Sequence, residues 1–236
     1  MKKITVNFIR HGETYFNVFD RFQGWSDTPL TAHGHAQAQA IGAVVSSLKV
    51  DHLYASDMTR ARETAADICQ ANHWDVAKTV TCLPSLREHF YGCFEGQPQA
   101  ETWRQIAQVH GLHNYSELVQ TYSVDQAQDF LSQQDASGFA ETSADFWNRF
   151  LEGVQTIMKA TPDNGEVLVV SHSSVIRALV GRYAPQRLNP ITPENGKLTR
   201  ICVSKPFNKP IDFRVLAYNC TTINAANSIG TGRRLI

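Results

Sequence analysis

The 236-residue chain is long enough for one large domain, or for one domain carrying an insertion. Its 22 basic and 22 acidic residues cancel, which excludes a long basic face for nucleic acid and a polybasic membrane anchor. Hydrophobic residues at 42% can build a full core, yet no apolar run approaches the roughly 18 residues of a membrane helix. Met1-Lys2-Lys3 leads to Asn7 and Arg10 rather than to a signal-peptide core, so the chain reads as cytoplasmic. Cys69, Cys82, Cys93, Cys202 and Cys220 form no CxxC pair, and each reads as a small buried hydrophobe.

The first element is a short buried strand, Ile4 to Ile9, which ends in Arg10-His11-Gly12-Glu13-Thr14. Ligands in open α/β sheets bind at the carboxyl ends of strands. Arg10 brings a fixed positive charge there, and His11 brings a ring nitrogen that can act as nucleophile or base. The competing reading is a strand that stops at a surface turn. Tyr15 to Pro29 has no clear period and reads as a polar loop with aromatic anchors. Thr31 then caps a helix carrying Ala36, Ala40, Ile41, Val44, Val45 and Leu48 on one face. Leu53 to Ser56 is a second strand, followed by a helix from about Asp57 to Gln70 and a third strand from Thr79 to Leu83.

From about Pro98 to Gly138 the composition shifts to Gln, Ser, Asp and His, with irregularly spaced Trp103, Ile106, Leu118, Tyr122, Phe130 and Leu131. This predicts two or three short helices inserted in the fold and covering something. Thr142 and Asp145 form a capping box for a strongly amphipathic helix through Phe146, Phe150, Val154, Ile157 and Met158. Glu166 to Val170 is apolar on both faces, as a central parallel strand must be. It runs into Ser171-His172-Ser173-Ser174, which opens another helix and so offers free backbone N–H groups to an anion. Leu198 to Val203 and Asp212 to Ala217 are the final strands, joined by a hairpin at Pro206 to Pro210. The alternation predicts an α/β fold with a mostly parallel sheet.

Two strands thus end in a histidine, and the surrounding motifs carry a resemblance. Arg10-His11-Gly12-Glu13-Thr14 with Asn17, Ser56-Asp57-Met58-Thr59-Arg60-Ala61-Arg62-Glu63-Thr64-Ala65, Leu86-Arg87-Glu88 and Ser171-His172 resemble the histidine phosphatase superfamily, the phosphoglycerate-mutase-like enzymes. The resemblance implies a three-layer domain over 1–236 with a helical cap inserted at 98–138. It implies His11 as nucleophile, Glu88 as general acid and base, and Arg10, Arg60 and His172 as positive groups around a phosphoryl group. Asn17 donates to a phosphate oxygen, Ser173 lies in the anion-binding turn, and no metal or cofactor is needed. Gln23 and Gly24 either contact substrate or anchor the loop. Glu95 competes with Glu88 as acid but suits a structural bond better, Arg62 reads as a solvated surface residue, and His89 could line the site.

The resemblance implies hydrolysis of a small phosphorylated metabolite, because Tyr91-Gly92 is followed by Cys93-Phe94-Glu95-Gly96, whose Glu-Gly form is associated with the phosphatases of the family. A phosphoglycerate mutase is the alternative, and a catalytically silent phospho-ligand or partner binder is the alternative of another class. Ser173 and Ser174 replace the glycine expected after His172 and bear on how closely the backbone meets a phosphate. Trp103, Arg104 and Tyr115 are candidates to face the pocket.

Overall fold

The apolar start of the chain runs as strand β1 (Lys2–Arg10) in a computed structural model that describes residues 1–188 and 192–223. The single-domain expectation extends over 189–191 and 224–236, which lie outside the described residues. Strands β2 (His52–Ala55), β3 (Val80–Cys82), β4 (Glu166–Ser171), β5 (Leu198–Lys205) and β6 (Asp212–Cys220) join β1 in a sheet of order β3-β2-β4-β1-β5-β6. The β3-β2-β4-β1 part is parallel, and β5 and β6 are added antiparallel.

The side-chain pattern explains the three layers. On β1, Ile4, Val6 and Phe8 face one core and Ile9 faces the other. On β4, Val167 and Val169 join the first core while Leu168 and Val170 join the second. Both faces therefore need a covering. Helices α2 (Ala32–Val45) and α3 (Thr59–Ala71) cover one face through Ile41, Val45, Ala61, Ala65 and Ile68. Helices α8 (Ser143–Ala160) and α9 (Ser173–Tyr183) cover the other through Phe146, Phe150, Val154, Ile176 and Leu179. Each large side chain buried this way contributes roughly 1.5–3 kcal/mol.

Thr31 caps α2 by accepting from Gly34 N, and the Thr142–Asp145 capping box opens α8, both as the sequence predicts. The loop after β1 is more ordered than expected. Thr14 and Asn17 form a capping box around a one-turn helix, α1 (Tyr15–Val18). Helix α3 starts at Thr59, two residues later than expected, because Asp57 is committed to a two-bond pair with Arg87 (2.7 and 2.5 Å). Asp27 of the preceding loop takes over the capping role by accepting from Thr59 N (2.5 Å). Thr79 closes a short helix, α4 (Val76–Thr79), so β3 begins one residue late. The cysteines do not behave alike: Cys69 and Cys202 are buried, but Cys82 and Cys93 are exposed.

The inserted segment forms three helices, α5 (Gln99–Val109), α6 (Tyr115–Thr121) and α7 (Val124–Gln134). They build a small core of their own from Ile106, Ala107, Leu118, Ala127 and Leu131, closed by Phe22 and Tyr91 from the main fold. Asp135 ties the end of the insertion to the segment after Glu88 by accepting from Cys93 N, Phe139 N and Ala140 N (3.0, 2.8 and 2.7 Å). Among the described residues, no helix is long and apolar enough to cross a membrane.

Candidate active site

Strands β1 and β4 are parallel neighbours whose registers end together, with Arg10 opposite Ser171. The next residue on each is a histidine, and His11 N donates to Ser171 O (3.0 Å). Pairing alone thus brings two rings 161 positions apart in the chain to a centroid distance of 5.2 Å. Gly12 follows because a Cβ there would lie 2.3 Å from Gly34 O at the start of α2.

His11 is buried, and its Nδ1 lies 2.8 Å from Gly12 O. A carbonyl only accepts, so Nδ1 carries the proton and Nε2 keeps its lone pair. Burial, then the charges of Arg60 and Arg10, push the His11 pKa well below the ordinary histidine value. The ring is therefore neutral at pH 7. His172 is fully buried at the N-cap of α9, and neither ring nitrogen has a protein partner. Burial, then Arg60 and His11, push its pKa well down too. This departs from the expected positive charge at His172: within the protein's own field the ring is neutral.

Arg10 donates through Nη1 to Pro193 O (2.7 Å) and leaves its Nε without a partner. Burial, partly offset by Glu88, lowers its pKa to about 10, so it remains charged. Arg60 differs from expectation in detail. Its Nη1 donates to Ser26 O and Asp27 Oδ1, and its Nη2 to Gln23 O and Gly24 O. The guanidinium expected among the positive groups around the phosphoryl group holds the 23–27 loop with both terminal nitrogens, and only Nε remains uncommitted.

Glu88 lines a cavity of about 360 Å³ together with Arg10, His11, Asn17, Gln23 and Ser173. Its Oε1 accepts from His89 N and its Oε2 from Ser174 N, both at 3.0 Å. Burial alone would raise the Glu88 pKa, but His89 and the two N–H groups outweigh it and the pKa falls below the ordinary value. Arg149 of α8 fixes the backbone here by donating to Arg87 O and Glu88 O (2.9 and 2.8 Å). Glu95 takes the structural part, accepting from Gly24 N, Trp25 N, Ser26 N and Tyr91 N.

The remaining expectations divide. Asn17 spends its Oδ1 on Thr14 N and Asn195 Nδ2, which leaves its NH2 for the cavity. The Gln23 amide lines the cavity but is committed to Thr14 and Thr28. Gly24 is a packing position rather than a substrate contact: a Cβ there would lie 2.1 Å from His89 O, and its N–H is held by Glu95. Ser173, at the position of the missing glycine, lines the cavity, and Ser174 after it serves Glu88 and Tyr91, its Oγ lying 2.8 Å from Tyr91 OH. Trp103 and Tyr115 line the cavity, but Arg104 points outward and pairs with Glu101 (2.6 Å). Arg62 is exposed.

Sequence reasoning missed Arg177 and Asn195. Arg177 lines the cavity, lies 4.2 Å over the Tyr115 ring and has an unpartnered Nε. Its signal was present, since it stands one helical turn after Ser173 on the same face. Asn195 donates to His11 O (2.9 Å) and to Asn17 Oδ1 (3.1 Å) from a loop with no period to read. Among the described residues, no cluster of three or more His, Cys, Asp or Glu side chains is arranged to hold a metal ion.

The mostly parallel sheet thus carries paired histidines at its carboxyl edge with arginines around them. The chain matches the histidine phosphatase superfamily (branch 1) over residues 6–209 and belongs to that family. It is 30% identical over 197 residues to a probable phosphoglycerate mutase, GpmB, of Serratia proteamaculans, covering 78% of this chain and 80% of that one. It is 36% identical over 102 residues to the fructose-2,6-bisphosphatase TIGAR of Xenopus laevis, covering 43% of this chain and 37% of that one. Its fold is like the crystal structure of phosphoglycerate mutase from Bacillus anthracis, with a TM-score of 0.78, 24% identity and coverage of 95% and 96%.

Proposed function

We propose that the protein hydrolyses a small phosphomonoester through a phosphohistidine on His11. One observation carries this reading. Apart from His89 Nδ1, which faces Glu88, every buried side-chain polar atom without a protein partner among the described residues belongs to Arg10, Arg60, His172 or Arg177. Native interiors leave few such atoms unpaired. An arginine Nε can only donate, and an imidazole can donate, so the missing partner is an acceptor with several oxygens. A phosphoryl group meets that description.

The chemistry follows from the atoms. His11 Nε2 attacks phosphorus while Nδ1–H stays on Gly12 O, which keeps the lone pair aimed. Arg10, Arg60 Nε and the His172 ring stabilise the charge on the equatorial oxygens. Glu88 protonates the leaving oxygen, then takes a proton from the attacking water. The protein holds the Glu88 pKa low, but a phosphate dianion beside it raises that pKa, so the acid form belongs to the substrate complex. The test is a screen of sugar phosphates, nucleotides, phosphoglycerates and aryl phosphates for phosphate release. An acid-labile label on His11, absent from His11→Ala, is expected.

The mutase reading is kept because the relative covered over most of its length carries that name. Against it stands the shape of the site. Trp103, Tyr115 and Arg177 also line a second, more open space of about 1080 Å³ beside the cavity, a route by which water reaches the site. A mutase must shield its phosphoenzyme from water. Fast interconversion of 2- and 3-phosphoglycerate, primed by 2,3-bisphosphoglycerate with little free phosphate, would decide for the mutase.

A further inference from the structure

His89 has no part in the chemistry above, although it is almost fully buried and lines the cavity. Its ring packs on Phe146 of α8 with centroids 4.2 Å apart. Its Nδ1 has no partner and stands 3.6 Å from Glu88 Oε1. Packing against Phe146 requires only an apolar ring. A nitrogen left unpaired beside a buried carboxylate calls for a proton between the two.

Glu88 has a supply problem that this neighbour solves. Both its oxygens accept backbone N–H groups, which favours the carboxylate, yet it needs a proton each time an ester bond breaks. We infer that His89 is the proton store of Glu88, the pair holding one proton that moves between Nδ1 and Oε1. This rests on the reading of Glu88 as general acid and base. In the first half-reaction, the Nδ1 proton passes to Glu88. Glu88 delivers a proton to the leaving oxygen as its bond to phosphorus breaks and the His11 Nε2–phosphorus bond forms. In the second, water bonds to phosphorus as the nitrogen–phosphorus bond breaks. Its proton goes to Glu88 and back to Nδ1, so the pair ends with the proton it began with.

The charged groups around this pair among the described residues fit one shared proton rather than two. Tyr91 and Glu95 lie on the same segment, and Glu95 is spent on the 24–26 loop. Arg149 reaches in from α8 but is paired with Glu141 (2.6 Å). Helix α9 contributes the neutral Ser174 and the charged Arg177, α7 the neutral Gln128, and α6 the Tyr115 hydroxyl, which acts electrostatically with Glu88. Arg10 of β1 and Arg60 of α3 both act electrostatically on Glu88 and resist a second proton.

The test compares His89→Gln and His89→Phe on two esters. The leaving oxygen of 4-nitrophenyl phosphate departs without a proton, whereas that of an alkyl phosphate needs one. The expected result, read as kcat/KM because that ratio covers ester cleavage and not the phosphoenzyme hydrolysis common to both substrates, is a loss of about tenfold or more on the alkyl ester, with little change on the aryl ester. The alkaline limb of the kcat profile on the alkyl ester should also move to lower pH. Equal losses on both esters, or no loss, overturn the proton store. Glu88→Gln is run beside them. If it shows the ester dependence and the His89 variants do not, only the store falls. If Glu88→Gln spares both esters, the acid reading falls and the store with it. On the intact protein without phosphate, where Glu88 is held as the carboxylate, histidine nitrogen NMR should find a proton on His89 Nδ1 at neutral pH. A bare Nδ1 overturns the inference without any variant.

Discussion

Arg10 and Arg60 do different work despite equal charge. Arg10 touches the cavity and has one committed nitrogen, while Arg60 spends four hydrogen bonds on the loop that frames it. Arg10→Met should therefore cut kcat by roughly 100- to 1,000-fold, the size of one lost electrostatic partner, with little change in thermal midpoint. Arg60→Met should lose both activity and stability, because four acceptors, two of them buried, are left behind, and a thermal melt beside the assay separates the two cases. The sequence reveals that these arginines belong near His11. It does not reveal the division of labour, because the spacing in Ser56 to Thr64 says nothing about where the 23–27 loop presents its carbonyls. His11 and His172 were legible for a physical reason: a polar residue ending an apolar strand is costly unless it meets something at the sheet's edge.

At the level of elements, Asp135 holds the cap to the site. Burial opposes its ionisation, but bonds from the Cys93, Ala140 and Ser137 groups prevail and hold its pKa below the ordinary range. A lowered folded pKa stabilises above the unfolded value and is lost as pH falls through the folded one. Asp135→Ala leaves the Cys93, Phe139 and Ala140 N–H groups unpaired, which should cost about 1–3 kcal/mol or more by denaturant titration. Because the cap also carries Trp103 and Tyr115, KM should rise more than kcat falls. Helix α2 buries Gly34, Ala38, Ile41, Gly42 and Val45 and leaves Ala36 and Ala40 of the expected face exposed, whereas the amphipathic helices α3 and α8 could be read from their period. Helix α1 could not, since one turn is too short to show a period, and the start of α3 was misread because Asp57, a good capping residue, is diverted to Arg87.

For the whole molecule, acid should act first through the two central histidines. Both have folded pKa values well below the ordinary one near 6.5, so the unfolded chain takes up protons that the folded chain refuses. Stability should then fall as pH drops from about 7 toward 5. Inorganic phosphate should flatten that decline and add about 2.7 kcal/mol at a hundred times its Kd. Scanning calorimetry with and without phosphate checks both, and a pH-independent midpoint would contradict the assignment. The common ending of β1 and β4 has a last consequence. Successive side chains on a strand point to opposite sides, so one residue added to or removed from either strand would swing an imidazole out of reach of its partner. Anyone re-engineering this scaffold can exchange its apolar residues or replace the cap, but must conserve the count of positions along those two strands.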